Sequence, residues 1–140
     1  MKLFIKKVSP EAVVPSFAHA TDAGLDLCTT IDVSIKPGQR FSVPTGIALQ
    51  IPAGYVGLIW DKSGVSQKGG LKTLGGVIDA GYRGEIFVGL FNTSGEVFSF
   101  TPGQKIAQIL IQKIEQPELV VVAELEDSAR GEGAFGSTGK

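Results

Sequence analysis

The sequence predicts an all-β fold, a jelly-roll-like β-sandwich with very little helix. Three observations lead there. Short apolar runs recur along the chain, the residues between them carry turn chemistry, and no segment sustains the 3.6-residue apolar period of a helix.

The runs occupy residues 3–8, 31–35, 46–51, 55–60, 85–91, 97–100, 106–111 and 119–123, and each is read as a strand; Val77 and Ile78 announce another, heading into the core. Between them lie Lys36-Pro37-Gly38, Pro52-Ala53-Gly54 and Thr101-Pro102-Gly103, where proline presets φ and glycine supplies positive φ. Nineteen glycines, about twice the usual share, fit many tight turns. At most one short helical turn is expected, after Ser63. A chain of 140 residues with 43% hydrophobic and 19% charged side chains reads as one soluble globular domain.

Composition also bounds function. A net charge of -1 gives no reason to expect a nucleic-acid polymer as partner, although small charged ligands remain open. Cys28 is the only cysteine, so no internal disulfide forms, and it reads as a small buried hydrophobe in a reducing compartment. Lys2, Lys6 and Lys7 break the apolar start, and no run approaches the ~20 residues of a membrane span, so a cytoplasmic protein without membrane contact is expected.

After Leu125 the composition changes. The organisation expected is a β jelly-roll domain over residues 1–126 and a flexible glycine-rich tail over residues 127–140. Alone, the tail reads as disordered; with Arg130 and Phe135 among glycines it reads alternatively as a lid. Its GEGAFG matches a dinucleotide fingerprint in letters only, since no βαβ unit surrounds it. His19 stands alone, with no His/Cys cluster for zinc.

Four stretches and the tail carry candidate chemistry. Asp79-Ala80-Gly81-Tyr82 by itself is accounted for by a β-turn with Asp at its first position. Asp22-Ala23-Gly24-Leu25-Asp26-Leu27 sets a second carboxylate in apolar surroundings. Asp61-Lys62-Ser63-Gly64 brings a cation and a hydroxyl beside a flexible backbone, and Gly103 to Gln108 begins a strand with a glutamine inside its apolar run. Together they suit a phosphorylated small molecule: N–H and hydroxyl donors near glycine, fixed cations, and carboxylates able to hold Mg²⁺ or activate water.

In order and wording these stretches resemble the homotrimeric deoxyuridine triphosphatase (dUTPase) family: AGLDL at 23–27, DKSG at 61–64, GGVIDAGYRG at 75–84, GQKIAQ at 103–108 and RGEGAFGSTG at 130–139. The resemblance implies an all-β jelly roll that hydrolyses dUTP to dUMP and pyrophosphate, limiting uracil in DNA and supplying dUMP for thymidylate synthesis. It implies a β-hairpin in which the backbone of Gly76, Val77 and Ile78 reads the uracil edge. Asp79 would be the general base that orients water toward the α-phosphorus, and Tyr82 would stack on deoxyribose. Arg83 would pair across subunits. Lys62, Ser63 and Gly64 would face the phosphates, Gln108 would help hold them and the water, and Asp26 would approach Mg²⁺ only through coordinated waters, with no direct protein ligand.

From the tail, the resemblance sets Arg130 on the γ-phosphate, Phe135 on the base, and Gly136, Ser137 and Thr138 among the phosphate contacts. Ordering ten residues costs about 1–2 kcal/mol each, whereas one aromatic stacked on a base returns only ~1–3 kcal/mol. Closure therefore needs the charge-assisted bonds of Arg130 and its neighbours. Lys62 stands where most members carry arginine, which keeps charge and loses the planar fork. The related dCTP deaminases carry an acid/base glutamate where this chain has Gly89; a non-catalytic nucleotide-binding sandwich is the other alternative. Three subunits sharing each site are implied by resemblance alone, with residues 119–123 suited to a strand exchanged with a neighbour.

Overall fold

The computed structural model describes residues 1–133. Ten strands dominate it: β1 Phe4–Lys7, β2 Leu25–Cys28, β3 Val33–Ile35, β4 Arg40–Gln50, β5 Tyr55–Trp60, β6 Leu71–Leu74, β7 Val77–Ile78, β8 Glu85–Asn92, β9 Phe98–Phe100 and β10 Lys105–Lys113. One sheet runs β1-β4-β8-β6, a second β2-β10-β5-β7, and β3 pairs with β9 in a small third. All pairings are antiparallel. The all-β expectation holds. Among the described residues the single helical element is a π-helical turn, Gly64–Lys68, directly after Ser63.

Alternation along the strands builds the core. In β8, Ile86, Val88 and Leu90 point inward and meet Val43, Ile47 and Ile109. Asn92 ends that row fully buried, and its amide is fully used: Nδ2 donates to Ile35 O at 2.8 Å and Glu96 O at 2.7 Å, while Oδ1 accepts the N–H and hydroxyl of Ser94. A buried amide satisfied on both ends stabilises the β8–β9 connection, where one left unpaired would cost about 1–3 kcal/mol.

β4 begins six residues earlier than its apolar run. Arg40, Ser42 and Pro44 hide the pattern, yet this half pairs with β8 from Arg40↔Phe91 to Pro44↔Phe87. Pro44 lies where β8 is the only strand neighbour, the edge-like setting in which proline is tolerated. The register then shifts before Ala48↔Glu85, and Gly46 adopts φ +66° and donates its N–H to Glu85 Oε1 at 2.7 Å.

Residues 119–123 form no strand, contrary to expectation. Leu119 and Val121 are 89% and 99% exposed. Valine-rich sequence supplies β propensity, but a strand also needs a neighbouring edge, and within this chain none pairs with the segment. No helix among the described residues is long and apolar enough to cross a membrane.

Candidate functional site

Sheet register brings two candidate positions, Gln108 and Asp26, into one row with Trp60. Gln108 on β10 lies opposite Asp26 on β2 and opposite Trp60 on β5. The chain then leaves β5 through Asp61-Lys62-Ser63-Gly64, and the Lys62 carbonyl accepts the N–H groups of Val65 and Ser66 at 2.9 Å, which starts the π-helical turn. Lys62 thereby returns over the row, and its ammonium pairs with Oδ1 of Asp26. Lys105 pairs with Oδ2 at 2.6 Å. Burial pushes the Asp26 carboxyl up, but the Lys105 and Lys62 ammonium groups against it outweigh that and hold the carboxyl below its ordinary range; by geometry Lys62 hydrogen-bonds Oδ1, while Lys105 meets Oδ2 as an ion pair alone. Lys105 is in turn raised by its pairing with Asp26.

Asp61 is held low in the same way: burial raises it, and Lys72 with the N–H and hydroxyl of Thr73 more than offset that. The Asp61 carbonyl accepts Nε2 of Gln108 at 2.9 Å. Gly24, Trp60, Asp61 and Gln108 share a cleft of about 500 Å³ with Asp22, Ala23 and Leu110. Cys28, buried, is pushed up first by burial and then by the Asp26 charge, so the inert reading of this thiol stands.

The second group of candidates lies elsewhere. β7 pairs with β5 through Gly57↔Ile78 and Leu58↔Val77, while β8 belongs to the other sheet. The expected hairpin is therefore a bridge between sheets, because β7 spends its hydrogen bonds on β5. Gly76 makes this possible at φ +117°, its carbonyl accepting Ile59 N–H at 2.8 Å. Tyr82 N–H closes the turn on the Asp79 carbonyl at 3.0 Å. The carboxylate of Asp79 is not part of that turn; among the described residues it takes no hydrogen bond and no ion pair. Tyr82 folds over Gly84 and donates its hydroxyl to Glu85 O at 2.9 Å. Val77, Ile78, Asp79, Tyr82, Glu85, Ile86 and Phe87 line a cleft of about 250 Å³.

Asp26, Lys62 and Gln108 gather at one place and Val77, Ile78, Asp79 and Tyr82 at another; the two clefts share no lining residue, and a third of about 320 Å³ between them meets the first at Trp60 and the second at Val77. Arg83 donates to the carbonyls of Ala80 and Tyr82 and forms no ion pair among the described residues. Arg130 is exposed and donates from Nε to Gly133 O at 2.9 Å. Phe135, Gly136, Ser137 and Thr138 lie outside the described residues. Gly89 pairs with Leu74, and a Cβ there would lie 3.0 Å from the Leu74 carbonyl. A side chain at that position would require the Leu74 main chain to give by a few tenths of an ångström.

Sequence reasoning passed over Asp61, Thr73 and Lys105. Asp61 and Lys105 both stand inside stretches already singled out, but their partners are distant in the chain. Among the described residues no three His, Cys, Asp or Glu side chains gather to cage a metal ion.

The dUTPase family model matches residues 10–139. The deoxyuridine 5'-triphosphate nucleotidohydrolase of Thermobifida fusca (strain YX) is 46% identical over 142 residues, covering 99% of this chain and 79% of that protein. Among solved structures, the Staphylococcus bacteriophage 80alpha dUTPase with dUPNHPP superposes with a TM-score of 0.93 at 34% identity, covering 99% of each chain. A mutant dUTPase from phage phi11 of S. aureus, whose structure concerns the coordination of a structural Mg(II) ion, gives a TM-score of 0.84 at 32% identity over 91% of this chain and all of that one.

Proposed function

Because the chain belongs to the dUTPase family and is a hydrolase of that family, we propose that it cleaves dUTP to dUMP and pyrophosphate by attack of an Asp79-activated water on the α-phosphorus. The observation that carries this reading is the unspent carboxylate of Asp79. A turn aspartate normally uses its side chain to cap nearby N–H groups. Here the turn closes through the main chain alone, and the acceptor stands exposed at the rim of a cleft.

The cleft walls divide the remaining work. Main-chain groups of Gly76, Val77 and Ile78 read the uracil edge, and Tyr82 packs against deoxyribose. Lys62, with the N–H and hydroxyl donors of Ser63 and Gly64, receives the phosphates, and Gln108 holds a phosphate oxygen and the water. The tail supplies Arg130, Phe135, Gly136, Ser137 and Thr138 as the lid over the jelly-roll domain of residues 1–126. A homotrimer whose copies share each site would bring the two groups of residues onto one substrate.

Mg²⁺ fits this donor set in one way. Asp26, the one buried carboxylate among the described residues, already carries two ammonium groups, so it would hold a bound Mg²⁺ only by accepting from the ion's water, and the remaining ligands would have to come from the substrate and solvent. Lys105, half exposed, is the partner able to yield. When bound, the ion would neutralise charge on the triphosphate. The place of action is the cytoplasm, where the reaction limits uracil in DNA and supplies dUMP for thymidylate synthesis.

One assay tests the reading: pyrophosphate and ammonia release from dUTP and the four common deoxynucleoside triphosphates. Pyrophosphate from dUTP far above the others is expected. Ammonia from dCTP, or no turnover of dUTP, would overturn it.

A further inference from the structure

Asp61 stands just past the end of β5 with both its side chain and its main chain committed. Oδ1 accepts the Thr73 N–H at 2.8 Å and the Thr73 hydroxyl at 2.7 Å, and Oδ2 pairs with Lys72. Its carbonyl accepts Gln108 Nε2 at 2.9 Å. Thr73 and Lys72 belong to β6 in the other sheet, so this one side chain ties the two sheets together where the Lys62-Ser63-Gly64 loop departs.

A glutamine amide has two orientations of nearly equal shape, separated only by their hydrogen bonds. One points an N–H at the Asp61 carbonyl; the other would set oxygen against oxygen. The first leaves Oε1 beside Gly24, where an added Cβ would lie 2.2 Å from it. Gly24 has no side chain to fill that space, so the oxygen keeps its acceptor capacity at the wall of the Trp60 cleft. The second N–H remains for a phosphate oxygen.

We propose that Asp61 is a positioning residue for the reaction: by fastening the end of β5 to β6 it fixes the carbonyl that holds the Gln108 amide with Oε1 turned to the cleft. The inference rests on the part given to Gln108 in the proposed function. Asp61 touches no substrate in this role and acts only through the amide.

The test is a double-mutant cycle on pyrophosphate release from dUTP, with Asp61→Ala, Gln108→Ala and the pair. Asp61→Ala is expected to lower kcat about tenfold to a hundredfold, the range produced when a positioned group shifts by ~1 Å, with KM nearly unchanged. In the Gln108→Ala background the same substitution is expected to cost less than about twofold, because the amide it aims is gone. Equal losses in both backgrounds would show a merely structural role and overturn the inference. Wild-type turnover in Gln108→Ala alone would instead remove Gln108 from the mechanism, and the inference with it.

Two milder variants guard against misfolding. Thr73→Val removes the hydroxyl bond and keeps the N–H bond, and its loss of kcat should likewise vanish without Gln108. Asp61→Asn keeps an acceptor for Thr73 and should retain most of kcat; a loss as large as that of Asp61→Ala would count against the clamp.

Discussion

Lys105 holds its ammonium 2.6 Å from Oδ2 of Asp26, and with Lys62 on Oδ1 a carboxylate only 5% exposed carries one cation on each oxygen. Because the folded state holds this carboxyl below its ordinary range, the unfolded chain takes up the proton first as pH falls. The pair therefore stabilises the fold above roughly pH 4, the unfolded value, and the contribution fades as pH drops through the folded one. Asp26→Asn should lower stability at neutral pH by about 1.5–3 kcal/mol, the usual worth of charged hydrogen bonds, and the gap to wild type should close toward pH 3. Thermal unfolding of both proteins at one concentration in chelator checks this; a gap independent of pH would contradict it.

Asp79→Asn separates chemistry from architecture. The turn closes on the main-chain carbonyl of residue 79, which asparagine retains. What is lost is a carboxylate able to take a proton, and such groups contribute roughly 10²–10⁴-fold to rate. Pyrophosphate release should fall by that order while the melting temperature and the affinity for a non-hydrolysable dUTP analogue stay near wild type. Unchanged release would remove Asp79 from the mechanism.

The strands most legible in the sequence were those whose apolar run is unbroken. Tyr55–Trp60 has the bounds read from its letters, and Glu85–Asn92 differs by one residue. β2 and β6 were missed because Asp26, Lys72 and Thr73 interrupt short segments, and those residues are polar for a reason: each makes a bond in or beside the site. At residues 119–123 propensity is high and no edge in the same chain receives it. Asp79, Gln108 and Asp26 were visible as residues out of place in apolar settings. Asp61 was not, since Thr73 lies twelve residues away and Gln108 forty-seven, and only the fold brings them together.

Gly76 is a position where stability should respond first. At φ +117° a side chain is strained, and a Cβ would stand 2.9 Å from the main-chain oxygen of Ile59, an atom that cannot swing aside. Gly76→Ala should destabilise by about 1–3 kcal/mol, the usual cost of such a backbone conformation, and should loosen β7 from β5. Hydrogen exchange at Ile59, whose N–H is bonded to the Gly76 carbonyl, reports the change directly. Protection at Ile59 equal to wild type would show that the chain absorbs the substitution elsewhere.

Gly24 offers the reverse case, in which function should respond before stability. Its φ is ordinary, so alanine carries no backbone strain, and the nearest atom to an added Cβ is Oε1 of Gln108 at 2.2 Å, the far end of a flexible side chain. The clash is relieved by swinging the amide away, which breaks the bond to Asp61 and gives up only the ~0.5–1.5 kcal/mol of one hydrogen bond. The same swing removes the acceptor that faces the cleft. Gly24→Ala should therefore leave the melting temperature within a few degrees of wild type and lower kcat for dUTP by about tenfold or more, as expected when a positioned group is displaced. In a Gln108→Ala background the contacts with the amide are gone and only the Cβ of residue 108, 3.1 Å away, remains to give by a few tenths of an ångström, so the methyl group should cost less there. A large loss of stability with kcat intact would mean that the backbone yields at residue 24 and the amide keeps its place.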